Sequence, residues 1–342
     1  MIPYIIFYIF VFLLSFKIKQ KKFNIFDFIL IFIIIFFSGL RTVGVDYNLY
    51  KQNFYYLTQN SILSSRTGMG YAYFSYFVKY ILKYDFQFIV MIFSIFTNLI
   101  IYLFFKKYSS RPGTAILVYI SFGFYTTSFN MFRQMFSLAL CLLGVKKFEE
   151  KNFLMMLVFY MIAFFIHSSS IIAIISYTIL FKYNKKYLKP LPLFFIFGIF
   201  VLFYNNLFPL VISYFRGYSM YLMYDSTPGI GTYMIVSVFL IIYLILIFPN
   251  KNILKTIEGN YTILNLFTIG VSVMIMELKN FLFFRIAFYF TFFISILLVD
   301  WFNNCYVNDK IKNLLFYIFM FVYFLIYINS FDGVMPYAWI LC

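Results

Sequence analysis

The sequence predicts an all-α, polytopic membrane protein, and three observations carry that prediction. The 342 residues are 64% hydrophobic and 26% aromatic but only 11% charged, which is more apolar surface than one soluble core hides. Apolar runs of about 14 to 21 residues, rich in Phe, Ile, Leu and Tyr, recur along the chain, and only helices satisfy their own backbone polar groups inside lipid. Short lysine-bearing loops separate the runs and leave no room for a soluble domain between them.

Taken in order, the first run, IPYIIFYIFVFLLSF, carries its positive charges after the apolar stretch and has no small-residue cleavage site, so it reads as a retained helix. About twelve spans (eleven to thirteen) are expected in a single polytopic domain over 1–342. They lie near 2–16, 24–40, 86–105, 113–129, 131–145, 153–166, 168–181, 192–205, 232–249, 261–277, 280–300 and 313–330. Longer loops fall near 41–85 and 206–231. With this arrangement eighteen of the 27 Lys and Arg residues gather on one side, from Lys17 to Lys312, and nine on the other. Cytoplasmic loops are enriched in both residue types, so the first side is expected inside and both termini outside. Two choices follow from the lysines. The segment YAYFSYFVKYILKY (71–84) is a surface or re-entrant helix on the outer face, and the run 153–181 is two short helices.

The formal charge of +16 is loop lysine that a membrane explains, so nucleic acid is not expected as a partner. Cys141, Cys305 and Cys342 are far apart and show neither metal-ligand spacing nor a disulfide framework. There is no Gly-rich phosphate loop, no D-x-D pair, no H-E-x-x-H and no G-x-S-x-G elbow. Neither a metal nor another cofactor is expected.

Residue type separates the two sides more sharply than charge does. Seventeen of 21 lysines face inward, while five of six arginines face outward. Arginine grips phosphate through a planar two-pronged fork, which makes Arg41, Arg66, Arg133, Arg216 and Arg285 candidate phosphate ligands. The alternative is that they snorkel to lipid headgroups or pair with Asp46, Asp225 or Glu277. In FNMFRQMFSLAL, Asn130, Arg133, Gln134 and Ser137 fall at i, i+3, i+4 and i+7, a polar stripe on one helix face. Such a stripe faces a polar cavity or hydrogen-bonds neighbouring helices. The only histidine, His167, sits among serines at the break between two short helices, where it can take a proton, donate a hydrogen bond, or cap the break. In ELKNFLFFRIAFYF, Arg285 and Tyr289 share a helix face.

These motifs, RTVGVDYNLY, FRQMFSLAL, IAFFIHSSSI and FFRIAFYF, occur in an order and over a length that resemble the EpsG-like branch of the Wzy-type polysaccharide polymerases. That family's pattern has an arginine and G-x-D-Y after the second span and an arginine-glutamine helix. It continues with a histidine-serine closing an apolar run and a late arginine with a tyrosine four residues on. The closing MPYAWIL is also similar. The resemblance implies a fold like the GT-C glycosyltransferases and polymerisation of O-antigen, capsule or exopolysaccharide repeat units. The reaction would take place on the outer face of a bacterial cytoplasmic membrane. The implied partners are undecaprenyl-diphosphate-linked oligosaccharides and membrane lipids, with a chain-length regulator and a flippase as companions.

Carried over residue by residue, the resemblance marks Arg41, Gly44, Asp46, Tyr47, Arg133, Gln134, His167, Ser168, Arg285 and Tyr289. Asn130 and Arg216 join them from the stripe and from the arginine asymmetry. The expected chemistry is arginine neutralisation of a departing diphosphate, with Asp46 or His167 taking the acceptor's proton. Two competing classes remain. A lipid-linked oligosaccharide flippase or other transporter would distribute its charges through the helices and show internal repeats. A membrane-bound O-acyltransferase would need an inward polar path to its histidine.

Overall fold

The computed structural model describes residues 1–20, 22–62, 68–183, 190–203, 206, 209, 228–247, 261–304, 309–330 and 334–340. Regular structure among them is helical, apart from an isolated bridge between Arg41 and Trp339. The chain forms two compact units that divide at Ile174/Ile175: residues 1–174 with 306–342, and residues 175–305.

The first unit opens with α1 (Ile2–Ser15) and α2 (Ile25–Gly39). Asn24 and Asp27 start α2 with a reciprocal capping box: Asp27 N–H donates to Asn24 Oδ1 at 3.1 Å and Asn24 N–H donates to Asp27 Oδ2 at 2.8 Å. Two short helices follow, α3 (Tyr47–Tyr56) and α4 (Met69–Tyr76), the latter widening into a π-turn over Phe77–Leu82. The 23-residue α5 (Phe86–Tyr108) then runs back along α2. Its far end is fixed by Lys106, whose ammonium lies 2.7 Å from Asp27, donates to the Lys22 carbonyl at 3.0 Å and sits 4.7 Å from the Phe23 ring centroid. Tyr102 donates its hydroxyl to the same carboxylate. α2 leaves this lysine-rich end and α5 returns to it, so residues 40 and 85 lie at the opposite end.

The chain continues through α6 (Pro112–Ser121), α7 (Phe124–Thr127), α8 (Phe132–Glu149), α9 (Phe153–Ile166) and α10 (Ser170–Tyr183). The segment expected as one span over 113–129 is thus broken at Phe122–Gly123. The run 153–181 is two helices with His167 at the break, as the lysines required. α8 and α9 form an antiparallel pair that the Ser137 hydroxyl ties to the Ala163 carbonyl at 2.8 Å. Lys107 pairs with Glu149 at 2.6 Å, so the end of α8 joins the lysine-rich end.

The second unit contains most of α10, then α11 (Pro190–Leu202), α12 (Ile230–Ile247), α13 (Tyr261–Met276), α14 (Leu282–Thr291) and α15 (Ile294–Asn304). α13 is its centre and packs on α11, α12 and α14. Tyr243 of α12 stacks on Phe194 with centroids 5.1 Å apart. The last helix, α16 (Asp309–Ser330), belongs to the first unit and lies on α6.

The protein is therefore an all-α, multi-pass membrane protein whose helices occupy the expected runs. By length and hydropathy, three described helices suffice to cross a membrane: α5, α12 and residues 310–330 of α16. The bent pair α14 and α15, at 47°, makes a fourth if counted as one span. The other apolar helices have 10–17 residues, and 14 residues reach only about 21 Å against a hydrocarbon core of about 30 Å.

The Asp27–Lys106 pair is buried, with the two side chains 0% and 6% exposed. Removing one partner of a buried pair strands a charge and costs about 3–5 kcal/mol, whereas replacing both with apolar groups costs far less. Asp27→Asn is expected to lower the melting temperature in detergent, and adding Lys106→Met is expected to recover much of the loss.

Candidate functional site

At the end opposite the lysines, α2 stops at Gly39 and the chain enters RTVGVDYNLY. Arg41 is buried, 2% exposed. Its guanidinium donates to the Ser38 carbonyl and to the carbonyls of Ser128 and Phe129, the latter two at 3.4 and 3.2 Å. It lies 4.5 Å from the centroid of the Phe129 ring. Burial pulls Arg41 down to about 10 against the ordinary value, with Tyr125, Tyr337, Tyr4 and Tyr47 opposing the shift, so it stays charged at neutral pH. Its Nε is buried and has no hydrogen-bond partner among the described residues. The closing MPYAWIL segment pairs alongside: Thr42 N–H donates to the Ala338 carbonyl and Ile340 N–H to the Leu40 carbonyl, both at 3.0 Å. Tyr337 reaches the Phe37 carbonyl and stacks on the Phe37 ring at 4.2 Å.

Three residues on, Gly44 has φ +137°, and a Cβ built there would lie 2.7 Å from the Phe129 carbonyl oxygen. Only glycine passes here. Val45 N–H donates to Asn130 Oδ1 at 2.6 Å, so this member of the polar stripe holds the loop. Asp46 is half-buried and precedes the first turn of α3. Tyr47 is buried and donates to Gln87 Oε1 at 2.8 Å. Burial pushes the Tyr47 hydroxyl above its ordinary value, and Arg41 opposes that shift. Gln87 in turn donates to the carbonyls of Gly39 at 2.6 Å and Arg41 at 3.1 Å.

Arg133, in the first turn of α8, is half-buried. Its guanidinium donates to the Tyr50 hydroxyl at 2.8 Å and lies 4.8 Å and 5.2 Å from the Tyr50 and Tyr71 ring centroids. These contacts hold the fork's plane and combine cation–π attraction with a directional bond. A Cβ at Gly68 would lie 3.9 Å from Arg133 Nη1 and 3.5 Å from the carbonyls of Phe165 and Ile166. That brings Arg133 beside the end of α9, where His167 is the half-buried C-cap and Ser168 is exposed. Gln134, 2% exposed, is buried behind Arg133. Asn130 holds the loop at Val45 and Ser137 bonds to α9, so these two members of the stripe serve packing.

One family model matches residues 24–339, a range that takes in all four motifs. The chain belongs to the EpsG family. No curated protein and no solved structure matches it. EpsG membership and the apolar helices together make this a multi-pass membrane protein of polysaccharide-polymerase type.

Within this EpsG-family chain the structure gathers Arg41, Gly44, Asp46, Tyr47, Asn130, Arg133, Gln134 and the His167 turn at one end of the first unit. Arg41, expected as a candidate phosphate ligand, is enclosed. Arg285 and Tyr289 belong to the second unit. There Arg285 is half-buried in the first turn of α14, and Tyr289 is fully buried, its carbonyl accepting from Tyr177. Glu277, just after α13, is 6% exposed, and its Oε2 has no hydrogen-bond partner among the described residues. Arg66, Arg216 and Asp225 lie outside the described residues. Sequence reasoning did not single out Gln87, nor did it give roles to Tyr50 and Tyr71. A glutamine at the start of an apolar span is the signal that pointed to the first.

Gln87→Leu leaves the Tyr47 hydroxyl and two carbonyls without their partner, at a cost of about 1–3 kcal/mol per stranded group. Faster amide exchange across 41–56 is expected, with exchange in α9 unchanged.

Proposed function

We propose that the protein elongates a polysaccharide by transferring a growing glycan from undecaprenyl diphosphate to a repeat unit on the same carrier. We place the twelve-span arrangement with the lysine-rich end in the cytoplasm and the arginine-bearing end outside, following the positive-inside bias. The observation that carries the reading is Arg133: a guanidinium against two tyrosine rings, bonded to one, half-buried, and near the end of the helix that His167 caps. A preoriented fork at a partly dehydrated surface suits a diphosphate that gains charge as it leaves.

In this reading the bond between the anomeric carbon and the diphosphate oxygen breaks as the acceptor hydroxyl bonds to that carbon. The electron pair departs with the diphosphate, which Arg133 receives. The acceptor proton passes to Asp46, with His167 as the other candidate. Arg41 then acts as a positioning residue that aims the Gly44–Tyr47 turn, while Tyr47, Gln134 and Ser168 contribute to the substrate surroundings. No metal is required for the leaving group. A flippase reading has less support, since the arginine motifs of the first unit gather at one end of its helices rather than through their depth.

The test is chain elongation by reconstituted protein on preassembled lipid-linked units, without an energy source and with a chelator present. Elongation is expected, and dependence on an energy source or a divalent cation counts against the proposal. Arg133→Lys keeps the charge but loses the fork, so single units are expected to accumulate while insertion stays normal; full activity would show that a point charge suffices. Asp46→Asn is expected to bind donor without turnover. His167→Ala is expected to keep measurable turnover with poorer apparent affinity. The reverse pair of results assigns the proton to His167.

A further inference from the structure

At the lysine-rich end, far from Arg133 along the helices, the first unit carries a groove of ≈ 950 Å³ between the end of α1 and the starts of α6 and α16. This is at the upper end of the roughly 300–1,000 Å³ usual for small-molecule sites. Its floor is fixed, because a Cβ at Gly113 would fall 2.1 Å from the Ser15 carbonyl oxygen, so α6 lies backbone-to-backbone on α1. Its sides are joined by ring contacts of Tyr317 with Phe12 at 5.3 Å and Phe16 at 5.2 Å. The trough is apolar and open sideways: Ile9, Phe16, Leu314 and Ile318 line it and are exposed. At one end stand Arg111, Thr114 and Asn313.

Arg111 is the exception to the charge pattern, the one arginine among the eighteen Lys and Arg residues that the sequence assigns to the inner side. It is exposed, and among the described residues no carboxylate pairs with it. A forked cation with a hydroxyl and an amide beside it, continued by an exposed apolar trough, has the form of a phosphate-bearing lipid. Free phosphate would leave the trough unused. A headgroup with its own ammonium would place that charge among Arg111 and the exposed Lys17, Lys19 and Lys310.

We propose that this groove binds an anionic glycerophospholipid, with the headgroup phosphate on Arg111, Thr114 and Asn313 and the acyl chains along the trough. The inference does not depend on the polymerase reading. The test uses the full chain reconstituted with phosphatidylglycerol and phosphatidylcholine, released into mild detergent and weighed by native mass spectrometry. Wild type is expected to retain phosphatidylglycerol over phosphatidylcholine. Arg111→Gln is expected to retain phosphatidylglycerol about fivefold less, as loss of one cation near a lipid surface implies, with an unchanged melting temperature. Leu314→Trp, which fills the trough and keeps Arg111, is also expected to lower retention. Equal retention of the two lipids, undiminished phosphatidylglycerol in Arg111→Gln, or its displacement by inorganic phosphate overturns the proposal.

Discussion

A guanidinium shut away from water needs fixed acceptors for its N–H groups, and at Arg41 those acceptors come from parts of the chain far apart in sequence. The end of α2 supplies the Ser38 carbonyl, and the turn between α7 and α8 supplies Ser128 and Phe129. The segment around Ala338 lies alongside. Meeting the demand of one buried cation therefore sets the direction in which residues 42–50 leave the bundle. Gly44 then passes the Phe129 carbonyl, Asn130 catches Val45, and Gln87 catches Tyr47. Tyr50 is thereby delivered to Arg133. The half-open arginine is aimed by the enclosed one through a chain of short contacts.

The two ends of the first unit solve the problem of positive charge differently. At one end lysines meet carboxylates: Lys106 with Asp27, Lys107 with Glu149, Lys147 with Glu150. The Lys147 ammonium holds Glu150 below the ordinary carboxylate range, a sign of local charge balance. At the other end the arginines' described contacts are carbonyls, a hydroxyl and aromatic faces. Carbonyls, hydroxyls and rings orient a guanidinium without cancelling its charge.

Much of this was legible in the sequence because membrane insertion leaves few alternatives. Apolar runs give helices, and lysine placement called for the break at His167. The break inside 113–129 and the bend between α14 and α15 were not legible, since a hydropathy run does not register a turn whose residues are all apolar. At the site, residue type announced Arg133 and the G-x-D-Y turn. It could not distinguish an enclosed arginine from an open one, because burial of Arg41 depends on carbonyls 87 and 88 residues away. Nor could it pair Tyr47 with Gln87, a contact made by folding rather than by spacing.

The partnership between Arg41 and the segment near Ala338 has a bearing on biosynthesis. Tyr4 donates to the Val334 carbonyl across 330 positions, and Tyr337 to the Phe37 carbonyl across 300. The ribosome releases α1 and α2 early, yet the surroundings of Arg41 stay incomplete until almost all of the sequence described here has been made. Until then a charged side chain at the membrane surface lacks part of its enclosure, and the turn that follows it lacks a backstop. The site is in this sense completed late in translation, so a ribosome stalled before residue 334 would leave a bundle that carries every arginine discussed here without holding Arg41 in its working setting.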